Sequence, residues 1–457
     1  MEMNRFYFVC VMFIALILFS ACGGSEIIEI NEPEVEATEA PAATSQPGLV
    51  APSVNNAPVI PAPGNSDART TDESGESDGT NPRDIAVVIN LTEAPAPSPN
   101  PWRNAEAMVA DMQIGWNLGN TLDTGANPSM AIELHETSWG NPITTRENIE
   151  AIHAAGFDVL RVPVTWNPRL VRNTEDYSIR EDWMNRVQEV VDYGMELGMF
   201  VILNTHHDEP LFSLYDAEME NSEYVISRLW EQIAYVFRDY DHRLIFEGIN
   251  EPRTKGSRAE WNGGTPEERN NVNVLNQVFV DTVRASGGNN SNRMLMVATY
   301  AAAVLDSTIS DFVLPVDPAN SENMLIVSLH MYAPYEFALA TDSNMRHGWS
   351  TQNRNDTDPI IRGLDLAYNY FVSNGIPVIM GEMGALNRNN TSSRVNWTTF
   401  YVSEAANRNI LCVWWDNGLT EGATLSRTDE DFFGIFNRRT NTFPFPEIID
   451  ALMSASE

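Results

Sequence analysis

The chain has 457 residues, enough for two or three average domains or for one large domain with a long tail. It carries 28 basic and 63 acidic residues, a net charge of −35, which argues against nucleic acid or an anionic membrane surface as a binding partner. A neutral substrate is not repelled by this charge, and three cysteines in very different segments exclude a disulfide framework.

The first 22 residues have the pattern of a secretion signal. Arg5 precedes an apolar stretch that runs to Phe19, and residues 18–22 read Leu-Phe-Ser-Ala-Cys. This ending resembles the lipobox of bacterial lipoproteins, in which the cysteine becomes the acylated N-terminus, so Cys22 is the expected lipidation site. An ordinary signal peptide or a simple membrane anchor is the alternative. The resemblance implies lipid anchoring at a bacterial cell envelope or surface, or secretion if the following linker is cleaved.

Residues 23–100 have a different composition, rich in Pro, Ala, Glu, Thr, Ser and Asn and without any aromatic residue. Such a segment cannot bury enough apolar surface to offset the entropy lost on ordering, so we predict a disordered linker. All 11 tryptophans follow it, from Trp102 to Trp415, which places the packed domain in residues 101–457.

From Trp102 onward, short apolar runs alternate with amphipathic stretches. Eight runs are predicted to be strands: 113–118, 159–165, 199–205, 244–249, 294–299, 325–329, 378–380 and 410–414. The stretches predicted to be helices include 144–155, 181–197, 223–240, 266–286, 360–374 and 392–408. Eight alternating strands, without the glycine-rich phosphate loop of an open doubly wound sheet, predict an α/β fold, a single (β/α)8 TIM barrel.

Two glutamates stand at the ends of two predicted strands. Glu251 closes the run LIFEGINE, and Glu382 closes the run IPVIMGE. The carboxyl ends of barrel strands form the active-site face, so both carboxylates are expected there. A pair of carboxylates is the minimum set for cleaving a glycosidic bond, because one protonates the leaving oxygen while the other attacks or activates water.

Further polar side chains follow the other predicted strands. They are Asn117, Asn120, Arg161, His206, His207, Asp208, Asn250, His330, Tyr332, Trp415, Asp416 and Asn417. Arg161 either neutralises a buried carboxylate or holds Glu382 ionised as a nucleophile, two roles that nearly coincide. His206 and His207 are either hydrogen-bonding groups or metal ligands. Neighbours on a strand point to opposite faces, so we do not expect both histidines to bind one ion.

These residues lie in motifs that resemble glycoside hydrolase family 5, over essentially the whole chain from Trp102 onward. The motifs are GWNLGNTLD at 115–123, WGNP at 139–142, LRVPVTW at 160–166, HHD at 206–208, EGINEP at 247–252, HMY at 330–332, GEMG at 381–384 and WWDN at 414–417. The first two look most like subfamily 4, the bacterial endo-β-1,4-glucanases and xyloglucanases. Met383 departs from the family, in which an aromatic residue commonly follows the nucleophile, and this affects only local packing.

The resemblance implies a role for each glutamate. Glu251 corresponds to the general acid/base and Glu382 to the nucleophile of a retaining double displacement. Arg161 and Tyr332 are expected to orient Glu382 and keep it charged. Glu251 has to stay protonated near neutral pH, so the two sites are expected to push the two pKa values apart.

The resemblance also implies a set of sugar-binding residues. Asn250 is expected to bind a sugar 2-hydroxyl, and Trp415 to form an aromatic floor under the pyranose. Trp414 is expected to pack in the core, because alternation sends it to the other face. The expected substrate-binding set is Asn120, Arg161, His206, His207, Asn250, His330, Tyr332 and Trp415.

Three functions are compatible with this pattern. The first is a retaining endo-β-1,4-glucanase of cellulose-like or xyloglucan chains, expected to be a monomer without cofactor or metal. The second is a retaining hydrolase of another β-linked polysaccharide, such as mannan, lichenan or xylan, which would use the same machinery with different loops. The third is a non-catalytic cell-surface glycan-binding lipoprotein, which has no need for both glutamates. Trp261 and Trp349 either stack on sugars or cap their own loops.

Overall fold

The structure, a computed structural model, describes residues 85–89, 102–125, 127–171, 176–317, 323–420 and 432–456. The predicted signal segment, the lipidation site Cys22 and most of the predicted linker lie outside these residues. Within the described ranges, no helix is both long enough and apolar enough to cross a membrane.

Eight parallel strands form a closed barrel in the order of the sequence, which confirms the predicted (β/α)8 fold. The strands are β1 (Gly115–Asn117), β2 (Val159–Val162), β3 (Phe200–Asn204), β4 (Leu244–Glu247), β5 (Leu295–Ala303), β6 (Leu325–His330), β7 (Val378–Met383) and β8 (Ile410–Trp414). β1 closes the barrel by pairing Gly115 with Val413 and Trp116 with Trp414 of β8. Parallel strands bring their carboxyl ends to one rim, where the polar residues that follow the strands collect.

Helices cover the outside of the barrel. They are α1 (Ala105–Val109), α2 (Ile132–His135), α3 (Arg146–Ala154), α4 (Glu181–Glu196), α5 (Met219–Val236), α6 (Pro266–Ala285), α7 (Asp306–Ser310), α8 (Tyr335–Ala338), α9 (Arg354–Tyr370), α10 (Thr391–Ala406) and α11 (Pro446–Ser456). Local sequence explains where they begin. Pro266 occupies the first position of α6, and Thr265 and Glu268 form a reciprocal capping box around it.

The apolar core has two layers because strand side chains alternate between the two faces of the barrel. One set, including Leu160, Val201 and Leu203, packs with the surrounding helices. The other set forms a separate cluster of Val159, Ile202, Ile245, Met296, Ile326, Ile379, Leu411 and Val413. Met108 of α1 joins this second cluster, so α1 packs against the end of the barrel from which the strands start. The opposite rim is therefore the polar end.

Some strands differ in length from their predicted bounds. β2 ends earlier, at Val162, whereas β7 continues to Met383. Glu382 consequently lies within β7 rather than beyond its end, so the sheet itself fixes the backbone that carries this carboxylate. Its side chain is almost fully buried, with 5% of its surface exposed.

β5 contains a bulge near its carboxyl end. Its register with β6 shifts between Ala298 and Ala303, and the intervening Ala301 and Ala302 have φ angles of 54° and 50°. These angles fall in the left-handed region that alanine rarely adopts. The amide of Ala301 donates a hydrogen bond of 2.9 Å to the carbonyl of Pro252. The bulge therefore braces the segment that follows β4.

Residues 85–89 lie on the barrel, although they fall inside the segment that we predict to be a disordered linker. Ala86 forms an antiparallel bridge with Arg180. The amide of Val87 donates to the carbonyl of Ile179, and the amide of Glu181 donates to the carbonyl of Ile85, both at 3.0 Å. The run Ile-Ala-Val-Val-Ile at these positions is apolar enough to pack, which the average composition of residues 23–100 concealed.

Candidate active site

Glu382 of β7 is held by two side chains, Arg161 of β2 and Tyr332, which follows β6. Arg161 Nη1 donates to Glu382 Oε1 at 2.8 Å, and Tyr332 Oη donates to Glu382 Oε2 at 2.9 Å. A cation and a hydroxyl donor both stabilise the ionised carboxylate. The predicted grouping of Arg161, Tyr332 and Glu382 is therefore present in the structure.

Arg161 is the centre of a buried network at the rim of the barrel. Its side chain is fully buried, and its Nε donates to Glu247 Oε2 at 2.8 Å. It also donates to Asn117 Oδ1 at 2.9 Å and to Asn250 Oδ1 at 2.7 Å. Burial alone would lower the pKa of Arg161, but the charges of Glu247 and Glu382 raise it. The guanidinium thus stays charged and links four strands.

Glu247 is a member of this network that sequence analysis did not single out. Ser328 Oγ donates to Glu247 Oε1 at 2.5 Å, and Asn204 Nδ2 donates to Glu247 Oε2 at 2.9 Å. Glu247 is fully buried and pairs with Arg161. The sequence feature that could have identified Glu247 is a carboxylate inside an otherwise apolar strand, because a buried charge needs a partner.

Glu251 lies just beyond β4 and faces Glu382 across the cleft. One oxygen of Glu251, one oxygen of Glu382 and a ring nitrogen of His330 all lie within 4.8 Å of one another. His330 Nδ1 is 2.9 Å from Glu251 Oε1 and 3.7 Å from Glu382 Oε2. His330, a member of the expected substrate-binding set, therefore lies close to both carboxylates.

The electrostatics of Glu251 differ from the prediction. Burial favours the protonated form, but the hydrogen bond with His330 and the positive charge of Arg253 outweigh it and lower the pKa of Glu251. Arg253 Nη1 lies 3.3 Å from Glu251 Oε2. This shift is opposite in direction to the one expected for Glu251, because sequence analysis did not place a cation beside it.

Trp415 and the β1 loop form one wall of the cleft. Trp415 follows β8, and its ring is parallel to that of His206, with 5.7 Å between the ring centroids. A Cβ on Gly119 would lie 2.8 Å from the Trp415 ring, so glycine allows this close approach. The next residue, Asn120, has a φ of 54° and is partly buried beside the cleft. Trp414 is buried and donates to the carbonyl of Phe433, which confirms its predicted core position.

His206 and His207 lie together rather than on opposite faces. β3 ends at Asn204, so the alternation of a strand does not apply to them, and their ring centroids are 4.4 Å apart. The expectation that they point apart is therefore wrong. Burial lowers the pKa of His206 well below its usual value and that of His207 to about 4, so both rings are neutral. A neutral imidazole can both donate to and accept from a sugar hydroxyl.

Asp123 lies close enough to these histidines to form a group of possible metal ligands. One donor atom from each of Asp123, His206 and His207 lies within 4.8 Å of the other two. The carboxylate of Asp123 already accepts hydrogen bonds from the amides of Thr121 and Asn120, and burial raises its pKa to about 6. The absence of a metal from the reaction stays a prediction.

The tryptophans outside the strands have different surroundings. Trp349 is buried, and its Nε1 donates to the carbonyl of Asp356, so it caps its own loop. Trp261 packs against Arg253, whose guanidinium carbon lies 4.5 Å from the ring centroid. Trp139, to which the sequence assigned no role, is 42% exposed, and its ring lies 6.0 Å from that of His207.

Comparison with known proteins places this geometry among glycan hydrolases. Residues 122–421 match the family described as cellulase (glycosyl hydrolase family 5). Endoglucanase B of Clostridium cellulovorans is 41% identical over 352 residues, which cover 76% of this chain and 75% of that protein. The cellulase/esterase CelE of Acetivibrio thermocellus is 43% identical over 346 residues, and the match spans only 40% of its length.

Solved structures agree with these sequence matches. A GH5-4 broad specificity endoglucanase from Ruminococcus champanellensis with bound cellotriose has a TM-score of 0.73 and 41% identity, covering 78% of this chain and all of that one. A glycoside hydrolase 5 lichenase from Caldicellulosiruptor sp. F32, in complex with cellotetraose, has a TM-score of 0.72 and 38% identity. It covers 82% of this chain and all of that one.

Proposed function

The chain belongs to glycosyl hydrolase family 5 and is a glycoside hydrolase of the endoglucanase type, and we propose that it cleaves internal β-1,4 bonds of glucans with retention of configuration. The observation that carries this proposal is that one carboxylate oxygen of Glu251 lies within 4.8 Å of one carboxylate oxygen of Glu382. Retaining enzymes hold their carboxyl groups about 5–5.5 Å apart, whereas inverting enzymes leave about 6.5–9.5 Å for a water molecule.

In the first step, Glu382 attacks the anomeric carbon of the sugar. The new bond joins this carbon to a carboxylate oxygen, the glycosidic bond breaks, and Glu251 gives a proton to the departing oxygen. Arg161 and Tyr332 keep Glu382 anionic and oriented until it attacks. Asn250, which Arg161 fixes by a 2.7 Å hydrogen bond, is placed beside the acid, where it can bind the 2-hydroxyl.

In the second step, Glu251 acts as a base. It takes a proton from water, the water oxygen attacks the anomeric carbon, and the ester bond to Glu382 breaks. The positive charge of Arg253 favours the ionised Glu251 that this step needs. His330 Nδ1 lies 2.9 Å from Glu251 Oε1, so His330 holds the acid/base by a hydrogen bond through both steps.

Proton NMR of the first product tests this mechanism. A soluble cello-oligosaccharide should yield the β-anomer first, followed by slow mutarotation to the equilibrium mixture. An initial α-anomer would contradict the double displacement. The E382A variant serves as the control for background hydrolysis, and a fast fall in the viscosity of a soluble cellulose derivative relative to the release of reducing ends would establish internal cleavage.

A second candidate substrate is mixed-linkage β-glucan. The similarity to a lichenase supports it, since that structure matches at 38% identity over 82% of this chain. Initial rates on a soluble cellulose derivative, xyloglucan, lichenan, mannan and xylan would separate the candidates. We expect the glucans to be cleaved at least tenfold faster than mannan or xylan. The reverse order would move the assignment to another β-linked polymer.

We also propose that Cys22 is acylated and anchors the enzyme at the cell envelope. The support is the sequence alone, namely the apolar run to Phe19 and the Ser-Ala-Cys that follows. Each buried methylene of an acyl chain contributes about 0.8 kcal/mol, and stable anchoring takes more than one chain. C22S should shift activity out of the detergent-extracted membrane fraction without changing specific activity. Intact wild-type protein found wholly in the culture fluid would refute the anchor and leave the hydrolase assignment standing.

A further inference from the structure

We propose that Arg253 is a positioning residue that holds Glu251 in place and sets the pH range over which Glu251 donates its proton, an inference that rests on the proposed function. Arg253 lies two residues after Glu251, and only 1% of its side chain is exposed. Its Nη1 donates to the carbonyl of Glu251 at 2.8 Å and lies 3.3 Å from Glu251 Oε2. One guanidinium thus contacts both the backbone and the carboxylate of the same residue.

A shell of three residues keeps Arg253 in this position. Arg253 Nη1 donates to Glu209 Oε1 at 2.9 Å, and its Nε donates to Glu260 Oε1 at 3.2 Å. The ring of Trp261 covers the guanidinium at 4.5 Å from ring centroid to carbon. Glu209 follows β3, whereas Glu260 and Trp261 belong to the loop between β4 and α6. The two loops therefore meet on Arg253.

The charges in this shell oppose one another. Lys255 Nζ lies 2.8 Å from Glu209 Oε2, so Glu209 pairs with two cations, and Lys255 is 40% exposed. Glu260 also accepts a hydrogen bond of 2.7 Å from the amide of Gly256. Arg253 consequently divides its positive charge among three carboxylates. Removing Glu209 would strengthen the field of Arg253 at Glu251, whereas removing Arg253 would abolish that field.

Other ionisable groups face Glu251 from the remaining walls. His330 comes from β6 and Glu382 from β7, and His207 follows β3. Glu382 is neutralised by Arg161, and burial keeps His207 uncharged at neutral pH. Arg253 is therefore the permanent positive charge in contact with Glu251 among the described residues. Removal of Arg253 should therefore change the protonation of Glu251 more than removal of Glu209, Glu260 or Trp261.

The test is the pH dependence of kcat/KM on a soluble β-glucan. The rate falls on the alkaline side when the donated proton leaves the site, so a weaker acid moves this limb to higher pH. R253M should move the alkaline limb up by about one pH unit, because an adjacent arginine lowers a carboxyl pKa by roughly 1–3 units. E209Q should move it down by about half a pH unit, because Arg253 then acts on Glu251 with less opposition.

Two further variants separate charge from packing. R253K keeps the positive charge and should leave the limb within about 0.3 pH unit of the wild-type position. R284M removes another buried arginine, which lies in the last turn of α6 and pairs with Asp317. This variant should lower thermal stability without moving the acid or the alkaline limb of the pH profile. Unchanged limbs in both R253M and E209Q, or shifts in the same direction, would overturn the proposal. If R253M does not fold, the sign of the E209Q shift decides.

The stereochemistry of the wild-type reaction keeps the two proposals apart. β-Anomer product together with unchanged limbs in the variants would refute the role of Arg253 and leave the retaining mechanism intact. An initial α-anomer would refute the mechanism itself, whatever the limbs show. Aryl glycosides with a range of leaving groups add a second readout, since the rate of R253M should depend more steeply on leaving-group acidity than that of the wild type.

Discussion

The two carboxylates of the cleft rest on supports of different kinds. Glu382 lies within β7, and Arg161 and Tyr332 reach it from the barrel rim. Glu251 lies beyond the end of β4, and Arg253, the cation beside it, is itself held by two loops. The nucleophile side is therefore part of the sheet, whereas the acid/base side depends on loop contacts.

This difference fits the different demands on the two groups. The nucleophile needs one protonation state and one position, which a buried network centred on Arg161 provides. The acid/base has to donate a proton in one step and accept one in the next. A set of opposing charges around Glu251 and Arg253 allows both states without rebuilding the barrel.

Replacing the nucleophile should have the largest effect. E382A leaves no group that can form the covalent intermediate, so kcat should fall by about 10⁴-fold or more. Added azide should restore part of the rate by attacking from the vacated side, and it should give the α-glycosyl azide. Product analysis by NMR checks this result. A β-azide from this variant would show that Glu382 is not the nucleophile.

Replacing the acid/base should have an effect that depends on the substrate. E251A should lose about 10²–10⁴-fold on polymers, where the departing sugar needs a proton, and far less on aryl glycosides with acidic leaving groups. The intermediate should accumulate on those aryl glycosides and appear as a burst in stopped-flow kinetics. Azide should then release the β-azide. Equal losses on both substrate types would contradict the role of Glu251.

The stability of the two supports should also differ. R161M leaves Glu247 and Glu382 buried without their cation, so the free energy of unfolding should fall by about 3–5 kcal/mol. R253M should cost about half as much, because Glu209 keeps Lys255 and Glu260 keeps its backbone hydrogen bond. Urea denaturation of both variants makes the comparison. An equal loss of stability in the two variants would show that the contacts of Arg253 matter as much for folding as those of Arg161.

Chelation should have the smallest effect. The chemistry assigned here uses two carboxylates and their hydrogen-bonding partners, so dialysis against EDTA should leave the rate unchanged. Activity before and after dialysis, with added Zn²⁺ as the matching condition, provides the measurement. A complete loss that Zn²⁺ restores would instead point to the donor group of Asp123, His206 and His207.

The parts of the site that the sequence predicted are those fixed by strand periodicity. Residues at the ends of parallel strands meet at one rim whatever their loops do, so Arg161, Glu251 and Glu382 could be grouped in advance. The contacts of Arg253 depend on how two loops fold back, and no periodic pattern encodes that.

Two other predictions were wrong because they concern features that no periodic pattern fixes. The predicted orientation of His206 and His207 was wrong because it depends on where β3 ends. Strand ends are the least certain part of a sequence-based assignment. Residues 85–89 were absorbed into the linker because a composition averaged over 23–100 hides a short apolar run.

The bulge of β5 limits how far the thermal stability of this enzyme can be raised by engineering. Ala301 and Ala302 adopt left-handed angles that cost about 1–2 kcal/mol per alanine, and glycine at either position would relieve that cost. The amide of Ala301, however, donates to the Pro252 carbonyl, one residue from Glu251. Glycine at position 301 would keep this amide, but it would give the bulge around it more conformational freedom. Relief of the backbone strain at this site is therefore expected to raise the melting temperature and to lower turnover.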